Sequence, residues 1–315
     1  MTLFESADGH GKIPHAPKAG PGARPEFLDS GHKPICNAMT VDVEDFFQVQ
    51  ALAGSFDRAD WANLPSRVEA NTDKVLAIFA DAGVKATFFM LGWIAERHPR
   101  LVRDIVAGGH ELASHGYSHV PVFEQTPEEF RADVRRTKAL LEDLGGTPVI
   151  GYRAASFSIG ESNLWALGIL SEEGYAYSSS IFPIAHDFYG MPHAPRFAFR
   201  PHRDRFLEIP MTTLSVLGKN LPCSGGGYFR LLPYALSRWA LLQVNSRDQQ
   251  PVIFYFHPWE IDPAQPRPER LPLKSRFRHY LNLHRMEGRL RRLLADFPWG
   301  RMDRIFLDAA APQVS

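Results

Sequence analysis

The apolar positions of this chain follow two rhythms. Short apolar blocks at 38–43, 86–90, 111–113, 149–152, 175–178 and 252–256 read as buried strands. Between them, apolar residues recur at three- and four-residue spacings. Val68, Val75, Leu76 and Phe79 predict a helix over 68–80 with one buried face, ended by Gly83. Thr126-Pro127-Glu128-Glu129 predicts the start of a long helix, with Thr126 as N-cap, Pro127 in the first helical position and Glu129 closing a capping box. That helix runs to about Leu144 and stops at Gly145-Gly146. Further helices are expected over 101–107, 163–173 and 233–244, and a basic amphipathic one over 276–296. The stretch 181–232 is less regular and holds Ser224-Gly225-Gly226-Gly227, expected to be flexible. Strands alternating with helices predict a mostly parallel sheet.

Composition narrows this picture. With 315 residues, 44% hydrophobic and 22% charged, the chain can bury a large core, and an α/β barrel of this size is one domain. Residues 1–34 are rich in Gly, Pro, His and Lys without periodicity and read as a flexible tail. Residues 35–315 read as a single barrel with a C-terminal extension from about 261. The formal net charge is zero, which gives no overall footprint for nucleic acid or an anionic membrane. The basic C-terminal helix reads as a solvated face over a packed one, with contact to an anionic polymer or membrane surface as the alternative. Cys36 and Cys223 are too few for a disulfide framework and too far apart for a zinc knuckle. No run is long and apolar enough for a membrane span, and the first residues lack the apolar core of a secretory signal, so the cytoplasm is the expected compartment. Oligomeric state is left open.

The candidate chemistry sits at strand ends. Asp42-Val43-Glu44-Asp45 closes the first strand, and His115-Gly116-Tyr117-Ser118-His119 follows the third. Two imidazoles four residues apart can meet on one face of a helical turn. A carboxylate from another strand completes a nitrogen/oxygen set suited to zinc or a similar divalent ion, with a coordination position left for water. A second carboxylate beside it could serve as the base. His257 ends the apolar strand 252–256. Three such segments converging on one mouth is the logic of a barrel.

Over about 36–260 these residues resemble the polysaccharide deacetylase family, also called carbohydrate esterase family 4 or the NodB homology domain. The run Gly109-His110-Glu111-Leu112-Ala113-Ser114-His115-Gly116-Tyr117-Ser118-His119 is similar to the family's metal-binding segment. Thr40–Asp45, Gly151-Tyr152-Arg153 and Phe256-His257-Pro258 resemble its first, arginine and last motifs. Ser224–Arg230 and Phe256–Glu260 resemble a subgroup encoded with exopolysaccharide export genes.

The resemblance implies a distorted (β/α) barrel of seven or eight parallel strands and one divalent metal, zinc by preference. Its implied ligands are Glu44, His115 and His119, with Asp45 the alternative carboxylate; strand alternation favours Glu44, because Asp42 and Glu44 share a face. Asp42 is the implied base and Arg153 its bidentate partner. His257 is the implied proton donor to a leaving amine, and a backbone N–H within 152–157 the oxyanion donor. Tyr228, Trp259 and Phe157 are candidates for stacking on sugar rings. The implied reaction removes N-acetyl groups from an N-acetylated sugar polymer or oligosaccharide, or from a polysaccharide precursor. Val43, Ala155 and Ser178 depart from the family pattern. They keep two alternatives in view: a ureide or formamide hydrolase, and a non-catalytic carbohydrate-binding barrel.

Overall fold

The computed structural model describes residues 34–186, 189–201, 205–268 and 271–308. The expected tail lies outside these residues up to position 33. From Ile35 on, the described chain forms one compact unit.

Strand β1, Asn37–Val43, is buried along its whole length, and its residues alternate between two environments. Met39, Val41 and Val43 enter the larger apolar core shared with the helices, whereas Ala38 joins a second cluster inside the curl of the sheet. Period-two alternation repeats in β2 (Thr87–Met90), β3 (Glu111–Ser114) and β9 (Ile253–Phe256). Phe88, Met90, Leu112, Phe254 and Phe256 face the helices, and Phe89, Ala113, Ile253 and Tyr255 face the interior. The remaining strands are β4 (Gly151–Tyr152), β5 (Tyr177–Ser178), β6 (Leu207–Glu208), the hairpin β7–β8 (Thr213–Val216 and Lys219–Pro222) and β10 (Trp299–Gly300).

Seven strands run parallel in the order β9, β1, β2, β3, β4, β5, β6. β10 adds to the first two residues of β1, so the extension expected from 261 returns to the sheet. Among the described residues no ladder joins β6 to β9. At that seam the Ile253 N–H donates to the Thr212 side-chain oxygen at 2.8 Å. The fold is therefore the expected distorted barrel, left open at one edge.

Helices cover the outside: α1 (Val68–Ala82), α2 (Gly92–Arg97), α3 (Pro99–Ala107), α4 (Pro127–Gly145), α5 (Trp165–Glu172), α6 (Gly226–Leu231), α7 (Tyr234–Ser246), α8 (Leu273–Tyr280) and α9 (Leu283–Asp296). The capping box at Thr126 and Glu129 forms, and Gly83 and Gly146 end α1 and α4 in left-handed conformations. Among the described residues no helix is long and apolar enough to cross a membrane.

Two expectations fail. The basic helix over 276–296 divides into α8 and α9, with Asn282 at φ 52° between them. At this break the Arg230 guanidinium donates to the carbonyls of Arg278, His279 and Leu281, which lie at the helix end and lack intrahelical partners. The glycine run is buried at Gly225 and Gly226 rather than flexible. A Cβ at Gly225 would overlap the Tyr255 ring, and one at Gly226 would overlap the Glu260 carboxylate.

The interior has a floor and a mouth. At the floor the Glu111 carboxylate accepts from Thr87 Oγ1 at 2.6 Å, Tyr177 OH at 2.9 Å and the Asp303 N–H at 3.1 Å. The mouth, at the C-terminal ends of the strands, holds the residues singled out above.

Candidate active site

His115 leaves β3 with its N–H still bonded to the Met90 carbonyl at 2.9 Å. The segment that follows is a loop and not a helical turn, which corrects the sequence expectation. Gly116 at φ 73° and His119 at φ 54° both take left-handed conformations and turn the second imidazole back toward the first. Asp133 on α4 accepts the Tyr117 N–H through both oxygens at 3.2 Å, and Arg58 donates to the His119 carbonyl at 3.1 Å. A four-residue spacing thus brings two rings together by loop geometry.

β1 pairing ends at Val43, one residue before Glu44, yet the inward alternation carries on. Glu44 Oε1 lies 3.0 Å from both His115 Nε2 and His119 Nε2, and all three side chains are buried. Among the described residues this is the one group of three ligand-type side chains whose donor atoms lie within 4.8 Å of one another. Asp45 points elsewhere. It accepts from the N–H groups of Phe46, Arg67 and Val68 and from the Ser66 hydroxyl, capping the chain that enters α1.

The protonation pattern tests whether a cation fits. His115 Nδ1 lies 2.8 Å from the Arg153 carbonyl, which can only accept, so Nδ1 carries the hydrogen. In the neutral ring the Nε2 lone pair then faces a carboxylate oxygen at 3.0 Å. Two acceptors at that distance repel unless a proton or a cation lies between them. A histidine tied through its second nitrogen to a carbonyl, aimed at a carboxylate, is the arrangement of a metal ligand. Burial pushes the Glu44 carboxyl upward, but His119, His257 and His115 outweigh it and hold it well below the usual range. The donor set fits a divalent ion.

Asp42 shares the inner face with Glu44, and Arg153 reaches it from the end of β4. Arg153 Nη1 is 2.6 Å from Asp42 Oδ1, and both groups are buried. The contact is single, not the expected fork. The same Nη1 also donates to Thr40 Oγ1 at 2.9 Å, while Nε and Nη2 donate to the carbonyl and hydroxyl of Ser179. The guanidinium lies 4.0 Å above the Phe89 ring, which roofs the apolar interior.

His257 follows β9 and completes the mouth. Its Nε2 is 3.7 Å from Glu44 Oε1. Its Nδ1 is 2.9 Å from Glu260 Oε1, which also accepts the His257 backbone N–H at 3.1 Å. The other Glu260 oxygen accepts from Arg230 Nε at 2.7 Å. Burial disfavours the imidazolium, but Glu44, Glu260 and Asp42 outweigh it and raise the His257 pKa to about 9. Burial raises the Glu260 carboxyl, yet Arg230 and His257 bring it down to about 2. Sequence reading assigned no role to Glu260 or Arg230. The signal for Glu260 was present, since His257-Pro258-Trp259-Glu260 has capping-box spacing with proline in the first helical position.

The aromatic candidates divide. Phe157 and Trp259 are buried, the first against Phe182 and Tyr255, the second stacked between His257 and His279. They serve packing rather than a sugar face. Tyr228 is partly exposed. Ser156 and Phe157, at φ 54° and 51°, are consecutive non-glycine residues in the left-handed region, which is strain of the kind held at functional sites.

Comparison with known proteins bears on this geometry. Residues 49–177 match the family model described as polysaccharide deacetylase, and residues 179–307 match one described as a domain of unknown function, DUF3473. The chain is 37% identical over 75 residues to a peptidoglycan-N-acetylglucosamine deacetylase of Bacillus cereus, covering 24% of this chain and 27% of that protein. It is 28% identical over 153 residues to a peptidoglycan deacetylase of Helicobacter pylori, covering 47% and 50%. The chain therefore spans between about a quarter and a half of the length of these relatives. Among solved structures, a candidate polysaccharide deacetylase from Mycobacterium smegmatis superposes with a TM-score of 0.55 at 20% identity, over 93% of each chain. The Puue allantoinase superposes with the same TM-score at 16% identity, over 86% of this chain and 88% of that one. These two likenesses are likenesses of fold.

Proposed function

We propose, from its membership of the polysaccharide deacetylase family, that this chain is a metal-dependent hydrolase of N-acetyl groups on N-acetylhexosamine units of a polysaccharide or its precursor. The observation that carries the reading is the convergence of Glu44, His115 and His119 beside an Asp42–Arg153 pair and a carboxylate-backed His257. A divalent ion, zinc by preference, supplies Lewis acidity toward a carbonyl oxygen and acidifies water when bound.

The remaining work falls to side chains of this protein. Hydrolysis of an acetamide adds the oxygen of water to the acetyl carbon and breaks the carbon–nitrogen bond. Asp42 accepts the proton that water releases, and Arg153 holds that carboxylate in place. His257 gives a proton from Nε2 to the departing nitrogen, so acetate and a free amine leave. Glu260 keeps Nδ1 protonated and leaves Nε2 facing the mouth. With Glu44 committed to a cation, Glu260 becomes the main support of the imidazolium. A backbone N–H within 152–157 is the donor this reading assigns to the developing oxyanion.

The test is metal analysis of the purified protein with an acetate-release assay on oligomers of N-acetylglucosamine, N-acetylgalactosamine and N-acetylmannosamine. One equivalent of metal and acetate from at least one series is the expected result. Sugar binding without acetate release in the loaded protein would return the binding-only reading. Turnover of allantoin or a formamido sugar, with no acetate from any series, would return the ureide or formamide one.

A further inference from the structure

Helix α8 is built unlike the other helices that cover the barrel. Of its eight residues only His279 is fully buried. Leu273 and Phe277, one helical turn apart and so on one face, stand 83% and 57% exposed. Lys274, Arg276 and Arg278 are exposed around that pair, and α8 contains no carboxylate. Arg267, also exposed, lies over the Tyr280 ring at 4.9 Å. The zero net charge of the chain thus hides a local concentration of cations around exposed apolar side chains.

The inner side of α8 is fastened to the mouth. His279 stacks on Trp259 at 4.2 Å, and Trp259 stacks on His257 at 5.2 Å. Arg230, which holds Glu260, also holds the last carbonyls of α8. A helix anchored beside the proton donor therefore presents leucine, phenylalanine and cations outward.

We propose that α8 is a docking surface for an anionic lipid bilayer, with Leu273 and Phe277 entering the boundary between headgroups and acyl chains. Exposed leucine and phenylalanine gain nothing against a hydrated polyanion, whereas a bilayer buries them while its headgroups meet the flanking cations. Docking in this way holds the barrel mouth near the membrane, so the sugar is met close to the lipid surface. That last point rests on the deacetylase reading; the docking itself does not.

The test is co-sedimentation of the full chain with vesicles of phosphatidylcholine alone and of phosphatidylcholine containing phosphatidylglycerol. Binding to the anionic vesicles only, weakened by salt, is expected. Leu273→Ser with Phe277→Ser should lower the partition about tenfold, and Arg276→Gln with Arg278→Gln roughly 25-fold, at about fivefold per cation. Melting temperatures should not change, because these side chains stand in solvent. Three results would overturn the proposal. The first is no anionic-vesicle binding, and the second is binding equally strong in the apolar double variant and displaced by dextran sulfate, which marks a polyanion site. The third is a dimer in light scattering that Phe277→Ser dissociates. None of these readouts requires activity, so failure of the docking and failure of the hydrolase reading are separable.

Discussion

The mouth and the floor of the barrel interior both bury carboxylates, and they treat them in opposite ways. At the mouth Asp42 faces Arg153, Glu260 faces Arg230 and His257, and Glu44 faces the imidazoles of the candidate ligand set. At the floor Glu111 receives only neutral donors. Burial, with Asp303 nearby, lifts its pKa to about 7. The two sites lie at opposite ends of the parallel strands that line one apolar interior. The difference teaches that burial alone does not decide ionisation here; the partner supplied at each strand end does.

The largest effect expected from breaking this contrast is at the ligand set. His115→Ala should abolish metal retention, read by elemental analysis, and reduce acetate release by more than the ~100-fold typical of an outer-shell loss. Next is the Asp42–Arg153 pair. Arg153→Met strands a buried carboxylate and should cost about 3–5 kcal/mol, seen as a lower denaturation midpoint. His257→Ala should retain metal while turnover falls roughly 100-fold or more, the scale of a lost general acid. An alanine variant with undiminished turnover contradicts that role. Glu260→Gln should leave metal content unchanged and reduce kcat less than His257→Ala does. It should also move the alkaline limb of the kcat profile to lower pH, because the imidazolium loses a carboxylate.

The smallest effect sharpens the contrast from the floor. Glu111 has a folded-state pKa of about 7 against an ordinary 4.5, so between those values the folded chain binds a proton that the unfolded chain does not. Stability is fully favoured below the lower value and declines as pH rises through the upper one, by on the order of a few kcal/mol. Glu111→Gln should flatten that decline in thermal melts taken between about pH 4.5 and 7. An unchanged slope would mean that the floor carboxyl is ionised throughout.

Much of the fold was legible because it depends on local patterns. Period-two alternation places Asp42 and Glu44 on one face, and the Thr126 box and Gly83 mark helix ends. What escaped depends on partners far away in sequence. Glu260 is held by Arg230 thirty residues earlier, and the same guanidinium binds the carbonyls where the C-terminal helix divides. The glycine run looked flexible because sequence does not show the Tyr255 ring and the Glu260 carboxylate packed against it. Helix and loop both satisfy the histidine spacing, and the left-handed Gly116 and His119 decide for the loop. The two family models divide these residues: 49–177 contains His115, His119 and Arg153, and 179–307 contains Arg230, His257 and Glu260.

Arg153 contributes to the mouth twice, through different atoms. Its side chain restrains Asp42, while its main-chain oxygen fixes which tautomer His115 adopts. Mutational scanning reaches only the first of these, since every replacement amino acid brings the same carbonyl. A scan would therefore underrate the position, and exposing the hidden half needs a backbone ester at the Arg153–Ala154 linkage, which weakens that acceptor, compared with a Ser180→Ala variant that controls for the Ala154 N–H bond the ester also removes.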